Sequence, residues 1–439
     1  MGNFSKEPRV FRHGNCGREA GIELTPTTGT PSTEPLYGLT PTRYVRMSLY
    51  YLMYFTTVAA FSPYFNLYLA TRGLSSSQVG IVLAVMPFVG LLVQPLWGIL
   101  NDWLHLQRMT VFIGLGAAPL ILLTFPYLRG FTAFLFMVAV LAVFQTGMIP
   151  VMDSLTVQNA GVRNYGKVRM FGSLGYAIMV SVAGQMYRSG NVNSMVPLYA
   201  VLAALSFIAL ISYPPIPAPK GTSVVSKPAS ALTGLRTLMK NRVFVWLLLL
   251  TMFVSISQTL NSNFFTLYYH ALNRPLGVLG VIYSVGGLSE LPLFFVSGRL
   301  ITRFGAERML LVASGVFLLR WLVLMFGPPT WVLVCLQALH GLSFGIALAA
   351  GISVASRVSD ETNRATAQTV YSAVNTGLAA IVGSMSGGLV LEAYGPYVLY
   401  AFAAVVCALG VSGMTILLAM LRRESVNSVS NSRVSNTSR

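Results

Sequence analysis

The sequence predicts an all-α membrane protein with twelve transmembrane helices, arranged as two pseudo-symmetric six-helix bundles. An internal repeat, the composition and the number of long apolar runs support this fold class. The 439-residue chain matches itself when it is shifted by 200 positions. The shift superimposes six residue pairs: Phe65 on Phe265, Leu67 on Leu267, Tyr68 on Tyr268, Gly80 on Gly280, Gly98 on Gly298 and Leu100 on Leu300. Because parallel repeats of apolar spans are typical of secondary transporters built from two bundles, the two halves are expected to descend from one unit.

The composition excludes an ordinary soluble domain. Hydrophobic residues make up 54% of the chain and charged residues 9%, and the mean hydropathy is +0.67. A helix needs about 20 apolar residues to cross a bilayer. Twelve runs meet that length: 44–70, 78–100, 109–128, 131–154, 168–187, 195–213, 243–268, 277–298, 309–327, 330–354, 366–390 and 396–421. The runs are continuous rather than alternating, which favours helices over the strands of a membrane barrel.

The polar stretches between the runs divide the chain into five segments. The segments are a disordered cytosolic tail (1–43), an N-terminal six-helix bundle (44–213), a cytosolic linker (214–241), a C-terminal six-helix bundle (242–421) and a second disordered cytosolic tail (422–439). The prolines that follow Tyr213 favour an extended linker. The tails are polar and lack a long apolar run, which is typical of disorder.

The net charge of +17 raises the possibility of a nucleic-acid partner, but the positions of the charges argue against it. Most of the basic residues in the loops between the spans lie on one side of the predicted topology: Arg108, Arg163, Lys167, Lys220, Lys227, Arg236, Lys240, Arg242, Arg299, Arg303, Arg308, Arg357 and Arg364. The opposite loops hold Arg72, Arg129, Arg188 and Arg274. This asymmetry follows the positive-inside rule, so both termini are expected in the cytosol, with the protein in the plasma membrane or an organelle membrane. The expected partners are lipid and a small solute, and no nucleic acid.

The sequence indicates no enzyme, cofactor or metal site. The three cysteines, Cys16, Cys335 and Cys407, lack the spacing of a metal centre. A Gly-x-Ser-x-Gly pattern at Gly341–Gly345 resembles a hydrolase nucleophile motif, but it lies inside an apolar run. Because that motif requires a strand-to-helix turn, we attribute the small residues to helix packing.

Ionisable residues inside the predicted spans are candidates for function. They are Asp153, Arg169, Glu290, Arg320 and His340. Placing a charge at the centre of a bilayer costs at least about 2.5 kcal/mol, so such groups are expected to be paired and functional.

One face of the fifth span combines a cation, a hydroxyl and an aromatic ring. Arg169, Ser173 and Tyr176 follow i, i+4, i+7 spacing and therefore share a helix face. This combination suits a sugar, because the cation and hydroxyl can bind hydroxyls while the ring covers an apolar face. The alternative is a packing stripe with an Arg side chain that reaches the membrane surface.

The segment Tyr165-Gly-Lys-Val-Arg-Met-Phe-Gly-Ser-Leu-Gly-Tyr176 resembles the fifth-helix signature of the lactose permease and phenylpropionate transporter branch of the major facilitator superfamily. Asn263–Tyr269 resembles the end of the seventh helix of that branch, and Pro63–Tyr68 its first-helix motif. The resemblance extends over most of 44–421. It implies the major facilitator fold, a monomer, a small-molecule substrate and protons as the coupling ion.

The resemblance also implies roles for individual residues. Asp153 and Arg169 would grip the substrate with Ser173, and Tyr176 would replace a stacking Trp. Glu290 and His340 would bind the other side of the substrate. The family has a charged pair at the positions of Gln258 and Gln337, and a second charged pair at the positions of Ser255 and Thr376. Gln258 and Gln337 are also expected to bind substrate. The proton-coupling set would be Glu290, Arg320, His340 and Asp153. Ser343 replaces the carboxylate that carries the proton in lactose permease, so a coupled proton would have to bind Glu290 or Asp153.

Two loops resemble the conserved cytoplasmic loop motif of the superfamily in a degraded form. Gly98, Asp102 and Arg108 represent it in the first half, and Gly298 and Arg303 in the second. The glycines would let helices approach closely, while the charged residues would form a latch that opens as the bundles rock. The alternative is that the basic residues only anchor the loops in the cytosol.

Together these features predict a secondary active transporter that moves a small polar solute by alternating access, with sugar as the first candidate and proton symport as the expected mode. The alternatives are a carrier of an aromatic or other organic acid, an uncoupled facilitator, and a receptor or scaffold that keeps the fold without transport.

Overall fold

The computed structural model describes residues 40–104, 107–188, 191–214, 228–360 and 363–437, and all regular structure in these ranges is helical. The helices of the first half are α1 (Pro41–Phe61), α2 (Phe65–Thr71), α3 (Ser76–Leu104), α4 (Gln107–Leu122), α5 (Phe131–Gln145), α6 (Met148–Ala160), α7 (Val162–Tyr187) and α8 (Met195–Ile211). Those that follow are α9 (Pro228–Lys240), α10 (Arg242–Ala271), α11 (Leu276–Phe304), α12 (Ala306–Leu324), α13 (Thr330–Ala338), α14 (Ile346–Val358), α15 (Arg364–Ser372) and α16 (Ala379–Thr437). Two π-helical segments, Gly341–Gly345 and Ala373–Leu378, connect α13 to α14 and α15 to α16.

Helix boundaries follow local sequence signals. The side chain of Thr40 accepts a hydrogen bond from the N–H of Arg43 and caps α1, as Asn241 does for α10. Gly161 ends α6 and Gly305 ends α11 with φ angles of +75° and +88°. Because residues with a side chain rarely adopt such angles, glycine is required at both junctions.

Within the described ranges, eight helical stretches are long and apolar enough to cross a membrane. Seven contain 18 to 30 residues, and the eighth, Arg364–Leu418, contains 55. Gly395, with a φ of +84°, interrupts this long stretch inside α16. Large apolar side chains such as Leu120, Phe136 and Phe295 are exposed on the outside of the helices, as expected for a surface that contacts lipid.

Each predicted apolar run coincides with helix, but two polar segments differ from the sequence expectation. The later part of the predicted linker forms α9, which has proline in its first turn and good helix formers such as Leu and Met after it. At the C-terminus, helical backbone continues to Thr437 where a flexible tail was expected. Extending an existing helix needs no new nucleus, which explains this continuation. Apart from residues 40–43, the predicted N-terminal tail lies outside the described residues, as does linker segment 215–227.

Four glycines bring the two halves together at one end of the molecule, which we call the closed end. Helix α7 packs against α11, and α3 packs against α16. A methyl group on Gly184 would lie 3.0 Å from the Cα of Gly280, and one on Gly388 would lie 3.0 Å from the Cα of Gly80. Real Cβ atoms rarely come this close, so both crossings depend on glycine.

Polar contacts also join the halves at the closed end. The hydroxyl of Thr266 donates to the carbonyl of Pro63 at 2.5 Å, and the amide of Asn66 donates to the carbonyl of Asn263. The backbone N–H of Ser77 donates to the Glu392 carboxylate at 2.7 Å. These bonds satisfy polar groups that would otherwise oppose close contact between the halves.

Candidate functional site

A polar cavity of about 350 Å³, the central cavity, lies between the two halves. Helices α1 and α7 bound it on one side, and α10, α11, α13 and the first π segment bound it on the other. Its wall consists of Phe55, Ser62, Pro63, Arg169, Ser173, Tyr176, Gln258, Asn261, Ser262, Tyr283, Gly286, Gly287, Glu290, Gln337, His340 and Phe344. Along α7 and α11, the cavity begins within two turns of the glycine contacts. The closed end therefore separates this cavity from one face of the molecule.

The predicted face of α7 contributes Arg169, Ser173 and Tyr176 to the central cavity. Gly172 and Gly175 flank this face on the side where helix α1 approaches. A methyl group on Gly172 would lie 2.7 Å from the Phe55 ring, which leaves no room for a side chain. The glycines of this segment thus let α7 pack closely against α1, while Arg169, Ser173 and Tyr176 face the cavity.

Asp153 and Arg169 form a pair at the edge of the cavity. The Arg169 Nε lies 3.7 Å from the Asp153 Oδ1, and each side chain is 29% exposed. Tyr51 donates a 2.7 Å hydrogen bond to the same carboxylate oxygen. The guanidinium lies over the Phe55 ring at 4.1 Å, so its face is covered while its edge can still donate. Arg169 lines the cavity, whereas Asp153 lies behind it and holds the guanidinium in place.

A chain of hydrogen bonds connects Glu290 to Arg320 through His340. The Glu290 Oε1 lies 3.1 Å from the His340 Nε2, and the His340 Nδ1 lies 3.1 Å from the Arg320 Nη1. Arg320 is 1% exposed and also donates to Ser343 at 2.9 Å and to the side-chain oxygen of Gln337. No carboxylate among the described side chains lies within 4.0 Å of Arg320.

This geometry assigns the proton of His340. A guanidinium can only donate hydrogen bonds, so the Nδ1 of His340 must accept from Arg320. The neutral ring then carries its proton on Nε2 and donates it to Glu290. Glu290 therefore accepts this hydrogen bond and is linked through His340 to the buried Arg320, so each of the two arginines of the site is connected to one carboxyl group.

Two expected pairs of polar substitutions are arranged differently in the structure. Gln337 binds Arg320, while Gln258 donates to Ser262 at 3.3 Å. Ser255 donates to Asn375 at 2.8 Å rather than pairing with its expected partner, Thr376, whose hydroxyl bonds the carbonyl of Ser372. The π-helical backbone at this point changes which side chain faces Ser255, an effect that sequence spacing for a regular α-helix does not anticipate.

The sequence analysis missed the aromatic residues that support the site. Tyr51 and Phe55 are one helical turn apart on α1, and both contact Arg169. Phe344 stacks on His340 with a ring separation of 5.4 Å and an angle of 2°. The i, i+4 spacing of each pair was visible in the sequence, but aromatic residues are so common in these helices that spacing alone did not distinguish them.

Among the latch residues whose side chains the structure describes, no ion pair joins the two halves in this conformation. A methyl group on Gly98 or Gly298 would meet no described atom within 4 Å, so the expected close approach at these glycines is absent. Arg108 donates to the carbonyls of Leu210 and Ile211, and the exposed Arg303 lies over the ring of the adjacent Phe304. The side chain of Asp102 lies outside the described residues. The physical reason is that the two halves touch closely at the other end, where Gly80 and Gly280 lie.

Comparison with known proteins agrees with this fold. The model of the MFS_1 like family matches residues 44–402. The chain is 29% identical over 381 residues to a maltose permease of Geobacillus stearothermophilus, covering 86% of this chain and 94% of that protein. It is 25% identical over 387 residues to the uncharacterized transporter YwbF of Bacillus subtilis, covering 87% and 94%.

Among solved structures, a crystal structure of a mutant of the nucleoside transporter NupG matches with a TM-score of 0.77 and 16% identity, covering 85% of this chain and 99% of that one. At this identity the match demonstrates a shared fold alone. Taken with the apolar helices and the family match over most of the chain, it shows that the protein belongs to the MFS_1 like family of the major facilitator superfamily, as a multi-pass integral membrane protein and a secondary transporter rather than an enzyme.

Proposed function

We propose that the protein carries a small neutral polar solute, with a sugar as the first candidate, by alternating access. The observation that carries this proposal is the balance of charge around the central cavity. Arg169 is paired with Asp153, and Arg320 is connected to Glu290 through His340. An anionic solute would add a third negative charge to two cations. An unpaired charge at this depth costs at least about 2.5 kcal/mol, so an organic acid fits only if one carboxylate is protonated.

The rest of the cavity wall suits a sugar. Ser62, Ser173, Asn261 and Ser262 present hydroxyl and amide groups, which can bind solute hydroxyls as donors or acceptors. The ring of Tyr176 supplies a flat surface for an apolar sugar face. The likeness to a maltose permease supports the same solute class.

The repeated glycines support alternating access. Of the repeated glycines, Gly80 and Gly280 at the closed end are tightly packed. Gly98 and Gly298, near the other end, have free space around them. Rocking of the halves about the central cavity would exchange these two arrangements. The positive-inside distribution of basic residues supports a closed end that faces outside, and this conformation would then be open toward the cytosol.

We also infer twelve crossings, with both termini in the cytosol. The stretch Arg364–Leu418 is more than twice the roughly 20 residues that one crossing requires, and Gly395 divides it into two crossings. Helices α1, α7 and α12 are long enough to span a membrane but carry more polar or charged residues than the eight apolar stretches. These three helices, the two crossings of Arg364–Leu418 and the seven other apolar stretches make twelve. The bundle boundaries 44–213 and 242–421 follow from this topology.

Glu290 is our candidate for the coupled proton. It faces the cavity and is the carboxylate connected to Arg320, whereas Ser343 cannot carry a proton at the position of the family carboxylate. Protonation of Glu290 would leave Arg320 without its anion and would therefore favour rearrangement of the site. Asp153 is less suited to this role, because it is not among the residues that line the central cavity and it is already engaged by Tyr51 and Arg169.

Counterflow in proteoliposomes tests the proposed function. Proteoliposomes that contain the wild-type protein and are loaded with unlabelled maltose are expected to take up labelled maltose by exchange. We expect 3-phenylpropionate not to compete with maltose. A transporter of organic acids would give the reverse result, and a receptor that lacks transport would exchange neither. Ser154→Ala on α6, a residue outside the central cavity, serves as a matched control for substitutions in the site.

A further inference from the structure

A second cavity, which we call the side cavity, adjoins the central cavity within the second half. Its volume is about 260 Å³, and α10, α12, α14 and α15 bound it with the second π segment. Gln258, Ser262 and Phe344 line both cavities. On α10 the side cavity extends to Thr251, away from the closed end, so it lies on the cytosolic side of the central cavity in the topology proposed above.

The wall of the side cavity differs chemically from that of the central cavity. Most of its surface is apolar and is interrupted by hydroxyl and amide groups, including those of Ser255, Thr259, Ser372 and Asn375, and no Asp, Glu, Lys, Arg or His is among its described lining residues. The hydroxyl and amide groups on this wall provide partners for water or for a polar solute. The absence of charge from this wall favours a neutral solute with many hydroxyls.

One polar atom at the junction lacks a partner. The side-chain oxygen of Gln258 is buried and accepts no hydrogen bond from any described group. Its amide nitrogen donates to Ser262, so a small rotation of the side chain would bring the unpartnered oxygen to a solute donor. A buried acceptor without a partner is costly, and a bound hydroxyl would remove that cost.

Both π-helical segments border the side cavity. The segment Gly341–Gly345 supplies Phe344, and the segment Ala373–Leu378 supplies Asn375 and Thr376. Short π-helical segments within α-helices occur frequently at functional sites, because they widen the helix and redirect side chains. Here they direct an aromatic ring and two polar side chains toward the same space.

We propose that the side cavity is a second solute subsite, which accepts a further ring of a neutral oligosaccharide whose first ring lies in the central cavity. This inference rests on the proposed function. The side cavity has about three quarters of the volume of the central one. Gln258 would bind a hydroxyl at the junction, Phe344 would pack against the linkage, and the Ser255 and Asn375 pair would bind the outer ring.

A substitution that fills only the side cavity separates solutes by length. Ala347 lines this cavity and not the central one, so Ala347→Leu removes space from the outer subsite. Counterflow of glucose, maltose and maltotriose is measured for wild type and variant, with Ala349→Leu on the same helix as the matched control. The ratio of the maltotriose rate to the glucose rate is expected to fall about tenfold in Ala347→Leu, the effect of one overpacked contact, and to stay unchanged in the control.

The possible outcomes distinguish this inference from the proposed function. If wild type exchanges glucose but neither maltose nor maltotriose, or if Ala347→Leu slows all three solutes equally, the subsite is refuted and the sugar transporter stands. If wild type exchanges none of the three, the proposed function fails and the subsite fails with it.

Thiol protection gives a second measurement if Ala347→Leu does not fold. Ser372→Cys places a thiol on the wall of the side cavity, and Thr369→Cys on the same helix places one outside both cavities. With the native cysteines replaced by alanine, maltotriose is expected to slow maleimide labelling at position 372 more than glucose does, and to leave position 369 unaffected. Equal protection by both sugars at position 372 would indicate a general conformational change and would overturn the proposal.

Discussion

Replacing Gly280 with alanine is expected to open the closed end. The added methyl group would lie 2.5 Å from the carbonyl oxygen of Val180 and 2.9 Å from the Cα of Ser181. Both are backbone atoms of α7 and cannot rotate away. Ordinary contacts begin at 3.4 Å, so α7 and α11 would have to separate by about 1 Å.

The cost of this clash determines the size of the effect. Overpacking of a well-packed interface costs about 1–3 kcal/mol. The cost applies only to the conformation in which these helices touch, so it shifts the equilibrium toward the outward-open state by about 5–150-fold. The fold itself is expected to remain intact, because either conformation accommodates the same helices.

Labelling of a buried position at the closed end measures the shift. Ser284 is 8% exposed and lies one turn from Gly280. Ser284→Cys in a background without native cysteines is expected to react faster with an impermeant maleimide when Gly280 is alanine. The matched control is Gly298→Ala on the same helix, where the methyl group would meet no described atom within 4 Å. Equal labelling of the two variants would refute the role of the closed end in gating.

Three further predictions concern the site and the core. Glu290→Gln is expected to retain maltose counterflow but to lose accumulation driven by a proton gradient; accumulation at the wild-type level would show that the coupled proton binds elsewhere. Arg169→Lys is expected to reduce counterflow at least about tenfold, because hydrogen bonds to charged groups contribute about 1.5–3 kcal/mol and Lys cannot both stack on Phe55 and keep the planar donor edge. A wild-type rate would contradict that role for the guanidinium. Trp321 is fully buried and donates to Ser257 at 3.0 Å, so Trp321→Ala is expected to destabilise the purified protein by about 3–5 kcal/mol, measured as a lower melting temperature in detergent. An unchanged melting temperature would show that this part of the core tolerates a large cavity.

The sequence was most informative where helical spacing alone determines geometry. The continuous apolar runs predicted the helices, because a bilayer requires internally satisfied backbone hydrogen bonds. The spacing of Arg169, Ser173 and Tyr176 predicted a shared face, and all three line the central cavity. In both cases the relevant distance lies within one helix.

Sequence reasoning was weaker where geometry depends on contacts between helices. The hydrogen bond between Ser255 and Asn375 depends on a π-helical segment, which no residue pattern in the sequence predicted. The bond between Gln337 and Arg320 depends on how α13 packs against α12. Gly80 and Gly98 looked equivalent as repeated residues, and only the conformation reveals that one is crowded and the other is free.

Equilibrium binding to the purified protein tests the central claim most directly. We expect wild-type protein in detergent to bind labelled maltose and Arg169→Gln to bind it at least about tenfold more weakly, since the site would lose a charged hydrogen-bond donor. An excess of 3-phenylpropionate is expected not to displace the sugar. Displacement by this acid, or maltose binding that is unaffected by Arg169→Gln, would contradict a neutral-solute site in the central cavity.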